Sequence, residues 1–121
     1  MLVHIAMERS PDEIRAFLHQ HSKSHIKYCD VKAIHFDLER EHVISQGQRQ
    51  QLDSALSVAD ANDLFYQFLR NDPASVTLEA AAKVLKEVPN TTNVNKRFAK
   101  VIEDFLKVTS SGGYSCVTTY E

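Results

Sequence analysis

The run "SVADANDLFYQFLRNDP", residues 57–73, decides how the chain folds. Ala61, Leu64, Phe65 and Phe68 fall at i, i+3, i+4 and i+7, with Leu69 beside them. That spacing is one face of an α-helix and not the alternating face of a strand. Ser57, three residues ahead of Asp60, is a start signal of the capping-box kind, weaker than the usual pairing with Glu or Gln. Asn71-Asp72-Pro73 stops the helix, because proline disfavours helical geometry in the residue before it.

Working outward, the same grammar repeats on both sides. Downstream, Ser75 or Thr77 opens a fifth helix with Leu78, Ala81, Ala82, Leu85 and Val88 inward, closed by Pro89. "NTTN" at 90–93 is a polar turn rich in capping residues, and Val94, Phe98, Val101, Ile102 and Phe105, flanked by Leu106, define a sixth helix. Upstream, Ser45 and Gln48 form a capping box for a short third helix holding Leu52 and, at its end, Leu56. Asp30 caps a second helix whose stripe is Val31, Ile34 and Leu38, with Val43 and Ile44 at its close. The first helix opens at "SPDE": Ser10 as cap, Pro11 at the first position and Glu13 completing the box. Ile14, Phe17, Leu18 and His21 follow on one face, and the apolar register then shifts to Ile26 and Cys29. A straight helix would put Ile26 about 120° from the Ile14 side, so a kink or break is expected near residues 21–24.

Six short helices cannot bury their stripes alone, which predicts an all-α, six-helix antiparallel bundle with a kinked first helix. With 121 residues, one domain is expected, and 43% hydrophobic with 25% charged residues is ordinary for a globular protein. Three glycines and three prolines are too few for a many-hairpin β-protein. Residues 1–9 read as an N-terminal extension, 10–108 as the helical domain and 109–121 as a flexible tail, although the β-branched "CVTTY" within it has the composition of a strand. A net charge of −2 argues against a nucleic-acid partner held by bulk attraction to phosphate. No apolar run approaches the ~18 residues of a membrane span, and "MLVHIAM" is too short, and lacks the basic flank, for a secretory signal. Cys29 and Cys116 lie far apart, which favours a reducing, cytoplasmic setting over a disulfide framework.

No glycine-rich phosphate loop, Gly-x-Ser-x-Gly elbow or His-Glu-x-x-His is present, so neither a catalytic residue nor a cofactor is expected. His21, His25 and Cys29, spaced i, i+4, i+8, are the one metal-like trio, and they support an alternative reading as a small helical metal-binding protein. The expected break would part His21 from Cys29, and a buried cysteine more often acts as a small hydrophobe. His4, His19, His35 and His42 are scattered and read as solvated or partly buried. On a helical wheel, Phe36, Asp37 and Arg40 oppose the Val31–Ile34–Leu38 stripe. An outward aromatic ring beside an arginine has the composition of an interface centre. Charge is uneven too, with acids concentrated on the second helix and Arg15, Lys23 and Lys27 on the first.

The run "IKYCDVKAIHFDLEREHVISQGQRQQL", with "ANDLFYQFLRNDPASVTLEAAAKVLKEV" after it, resembles the caspase recruitment domain, a branch of the six-helix death fold. The resemblance covers most of residues 10–107. It rests on the Asp-Val start of the second helix, on Ile34 and Leu38 inside it, on "VIS" closing it and on a short polar third helix. What it implies is an adaptor that binds itself or related domains, often as filaments, in apoptotic or innate immune signalling, without nucleic acid, membrane or cofactor. It places Arg15, Lys23 and Lys27 on a basic surface and Asp37, Glu41 and Asp53 on an acidic one. Asp60 and Asp63 on the fourth helix depart from the pattern, where basic residues would be expected. A death effector domain is the alternative within the fold, but the charge triad such a domain would carry near its end is not evident in this sequence.

Overall fold

The computed structural model describes residues 8–107; Cys116, "CVTTY", His4 and nearly all of the anticipated N-terminal extension lie outside that range. Six α-helices follow in order: α1 (Pro11–His21), α2 (His35–Arg40), α3 (Gln46–Ser54), α4 (Val58–Asn71), α5 (Ser75–Glu87) and α6 (Asn93–Lys107). Between α1 and α2 lie two 3-10 turns, Ile26–Tyr28 and Lys32–Ile34, and no strand occurs among the described residues.

Local chemistry sets the starts of these helices. Ser10 Oγ accepts from Glu13 N (3.1 Å) while Ser10 N donates to Glu13 Oε1 (2.9 Å). Ser45 and Gln48 repeat the exchange at the same two distances. Each pair satisfies two backbone donors that a helix start leaves orphaned. Ser57 Oγ accepts from Asp60 N at 3.1 Å, and the shorter aspartate returns no bond. Ser75 opens α5 as its first helical residue rather than as its cap. Its hydroxyl accepts instead from Arg9 N at 2.6 Å, so the packed domain reaches back to residue 9.

One continuous core joins all six helices, with Ile14, Leu18, Val31, Ile34, Leu38, Leu52, Phe65, Leu85, Phe98 and Ile102 fully buried. At about 1.5–3 kcal/mol per fully buried large side chain, this stripe-to-stripe closure is the main force holding the bundle. Phe17 stacks on Phe105 with ring centroids 4.2 Å apart, and on Phe98 at 6.4 Å, tying α1 to α6.

The second helix is shorter than its stripe suggests. Val31 and Ile34 are buried from the 3-10 turn, and the α-helix begins only at His35. Asp30 Oδ1 accepts from Ala33 N (3.2 Å), so it caps that turn. α2 then ends in a Schellman motif: Val43 N donates to Leu38 O and His42 N to Glu39 O, both at 2.9 Å, with His42 left-handed at φ 63°. Leu56 is not a core residue. α3 stops at Ser54 and Ala55 turns extended, which leaves Leu56 in the link and 96% exposed.

Two buried asparagines hold the irregular segment between α1 and α2. Asn62 Nδ2 donates to Lys27 O (3.2 Å) and Cys29 O (2.6 Å), and its Oδ1 accepts from Val31 N (3.3 Å). Asn95 Oδ1 accepts from Asp30 N (2.8 Å) while its Nδ2 donates to Asp30 O (3.2 Å). Nearby, the Lys32 ammonium donates to the carbonyls of Leu52, Asp53 and Ala55 at 3.4, 2.5 and 2.9 Å. It thereby puts a positive charge and three donors on the negative end of α3.

Candidate interaction surface

α2 is a six-residue helix that buries Leu38 and turns its opposite side outward. Phe36 is 63% exposed on that side. Its ring is bracketed by the His35 imidazole, with centroids 4.3 Å apart, and by the Arg49 guanidinium, 4.8 Å from the centroid. Arg49, on the first turn of α3, is itself held: its Nε lies 2.5 Å from Glu39 Oε1. That contact is a close ion pair by distance, although its angle is not that of a hydrogen bond. The result is an apolar ring flanked by a cross-helix charge bracket.

The charged neighbours are largely paired within the domain. Asp37 Oδ1 sits 2.6 Å from Arg40 Nη2. Glu41 lies between Arg40 (3.9 Å) and Lys83 of α5 (3.7 Å). Asp53 Oδ1 faces His35 Nε2 at 3.3 Å. Phe36, Asp37 and Arg40 share α2, Glu41 caps its C-terminal end, and the His35 contact brings Asp53 of α3 to the same helix. Arg15, Lys23 and Lys27 belong elsewhere, on α1 and the turn that follows it. Arg15 Nη1 meets Asp12 at 3.3 Å and its Nε donates to Arg70 O at 3.4 Å. Lys23 and Lys27 are exposed, with no carboxylate within ion-pair distance among the described residues, and Lys27 Nζ lies 5.8 Å from the ring of the exposed Tyr28.

Arg49 and Glu39, together with the His35 that flanks the ring, are the members of this surface that sequence reasoning missed. The Arg49–Glu39 contact spans the turn between two helices, so no helical spacing reports it. The only available signal was that an arginine early in a short polar helix could reach back over the neighbouring ring.

The His21–His25–Cys29 trio is drawn to other uses. His21 Nδ1 and His25 Nδ1 approach to 3.3 Å, Ser24 Oγ lies 2.9 Å from His25 Nδ1, and Cys29 Sγ donates to His25 O at 3.3 Å. Burial, with Asp30 nearby, pushes the Cys29 thiol up to about 12, so it remains a neutral donor. Among the described residues no three His, Cys, Asp or Glu side chains gather to hold a metal ion. α1 ends at His21 and the 3-10 turn at Ile26 follows it as a separate element.

Burial first, and the neighbouring His25 second, hold the His21 imidazole below its ordinary 6.5. Below that value the unfolded chain binds the proton more readily than the folded one, so stability is lost as pH falls from 6.5 toward the folded value. Thermal melts at pH 7, 6 and 5 are expected to fall in that window, and His21→Gln is expected to flatten the fall. Parallel curves for the two proteins would remove His21 as the cause.

No family model, curated protein or solved structure matches the chain. The fold and surface define a small all-α domain with a presented aromatic ring. None of its described helices is long and apolar enough to cross a membrane.

Proposed function

We propose that the chain is a protein-interaction module of the death-fold kind, of caspase recruitment type, acting as a cytoplasmic adaptor or recruiter in apoptotic or innate immune signalling through contacts with itself or related domains. The observation that carries this reading is Phe36: a large ring 63% exposed, yet flanked by His35 and Arg49. A ring with neighbours on both sides has fewer rotamers to lose when a partner covers it, and aromatic residues with arginine dominate the energetic centres of interfaces. The six-helix plan and the separate turn after α1 are what such a fold would have.

The charge pairing refines the reading. Asp37 and Glu41 already pair with Arg40 and Lys83, so an incoming basic surface would exchange those ion pairs rather than create them, while Asp53 faces only the His35 imidazole. Affinity is then assigned chiefly to Phe36, with Lys23, Lys27 and Arg15 steering the approach.

Sedimentation velocity over a range of protein and salt concentrations tests this. Self-association is expected, weakening with salt as exposed charges are screened. Phe36→Ala is expected to raise the dissociation constant at least about tenfold, the loss of roughly 1.4 kcal/mol at an interface centre. Its melting temperature should barely move, since exposed substitutions shift stability by about 0.5 kcal/mol or less. Asp37→Arg and Arg15→Glu should also weaken association. A monomer at every concentration and salt, or a Phe36→Ala chain that associates as well as the parent, sinks the proposal.

A further inference from the structure

A second exposed feature lies away from Phe36, along the seam of α5 and α6. The cleft there has a volume of about 530 Å³, with Val76, Ala80, Ala82 and Leu106 as its apolar part and walls of both charges, Glu41, Glu79, Glu87 and Glu103 with Lys83 and Lys107. Val76 is 72% exposed at one end of it. The described chain enters at that same end. Arg9 N donates to Ser75 Oγ (2.6 Å), next to Val76, and Arg9 Nη2 donates to Phe105 O (2.7 Å), next to Leu106. The Arg9 guanidinium also lies over the Phe105 ring at 4.7 Å, and its side chain is only 9% exposed. Arg9 is thus fixed against the residues that precede two of the cleft's lining residues, Val76 and Leu106.

We propose that this cleft is the docking groove for residues 1–7 of the same chain, Met-Leu-Val-His-Ile-Ala-Met. Three observations select this occupant. The anchoring of Arg9 fixes where the segment arrives. Its length matches, since seven extended residues reach about 23–25 Å and the 13 residues of α5 span about 20 Å at the helical rise. Its chemistry fits as well: six of the seven residues are apolar, so it can cover the exposed Val76 and adds no acid beside the four glutamates of the walls. The chain beyond α6, "VTSSGGYSCVTTYE", is more polar and carries adjacent glycines; it suits the groove less. Docking of residues 1–7 buries apolar surface that otherwise faces water.

Methyl NMR on the full chain tests this. In a Leu2→Ser, Val3→Ser, Ile5→Ser variant, the Val76 and Ala80 methyl signals are expected to shift toward solvent-exposed positions, while core signals such as Leu18 and Leu52 stay in place and report an intact fold. Groove methyls that do not move overturn the proposal. So do groove methyls that respond to Tyr114→Ser with Val117→Ser instead, which would assign the groove to the C-terminal segment. Groove signals that change with protein concentration but not with the triple substitution would assign it to a second copy, and would overturn it equally. Phe36→Ala should leave these methyls unmoved, so failure here and failure of the self-association reading are separate results.

Discussion

Asn62→Leu is expected to lower the unfolding free energy by about 3–5 kcal/mol, although leucine fills a similar volume and the site is only 1% exposed. The loss comes from what the side chain leaves behind. Val31 N would lose its acceptor, and the carbonyls of Lys27 and Cys29 would lose their donor. Such groups cost about 1–3 kcal/mol each when buried without a partner. For a domain of this size that is a drop of roughly 4–8 °C in melting temperature per kcal/mol. Urea unfolding of parent and variant measures it directly. Asn62→Asp is a sharper probe still, because a carboxylate could accept from Val31 N while facing two carbonyl oxygens it cannot satisfy. If Asn62→Leu matched the parent within 1 kcal/mol, the irregular segment would have to be held by Asn95 and local packing alone.

Phe98→Ala is expected to cost about as much, roughly 3–5 kcal/mol, by a different route. Its ring is 0% exposed, stacks on Phe17 and lies 6.1 Å from the His25 ring. Removing it opens a void where α1, α6 and the turn before α2 meet, and surrounding side chains relax only partly into such a void. The effect should appear as a shift of the urea midpoint with an unchanged slope. A cost under 1 kcal/mol would mean that the aromatic stack is not a fixed part of the core.

The contrast between these two residues says what the sequence could reveal. Phe98 belongs to a stripe with helical period, and burial follows from the period with no knowledge of the neighbours. The capping pairs at Ser10 and Ser45 were legible for the same reason: both partners lie within one turn. Asn62 sits inside the opening stretch as an unremarked polar residue between Ala61 and Leu64. Its role depends on a loop more than thirty residues earlier being laid against it. Lys32 clamping the end of α3 and Arg49 bracketing Phe36 are hidden likewise, since both need the helices already packed. Leu56 shows the opposite failure. Spacing alone extended the third stripe to it, but Ala55 leaves the helix first and carries it into solvent. Of the candidate surface, the outward side of α2 could be read from the wheel, whereas the internal pairing of Asp37, Glu41 and Asp53 could not.

The left-handed backbone at His42 has its own consequence. Glycine takes that geometry without steric cost, while a side chain there sits uneasily by about 1–2 kcal/mol. The bend after α2 therefore keeps a small reserve of tension a few residues from the bracketed ring. Selection for heat resistance alone would be drawn to relax this bend by shedding an imidazole that stands out in the water.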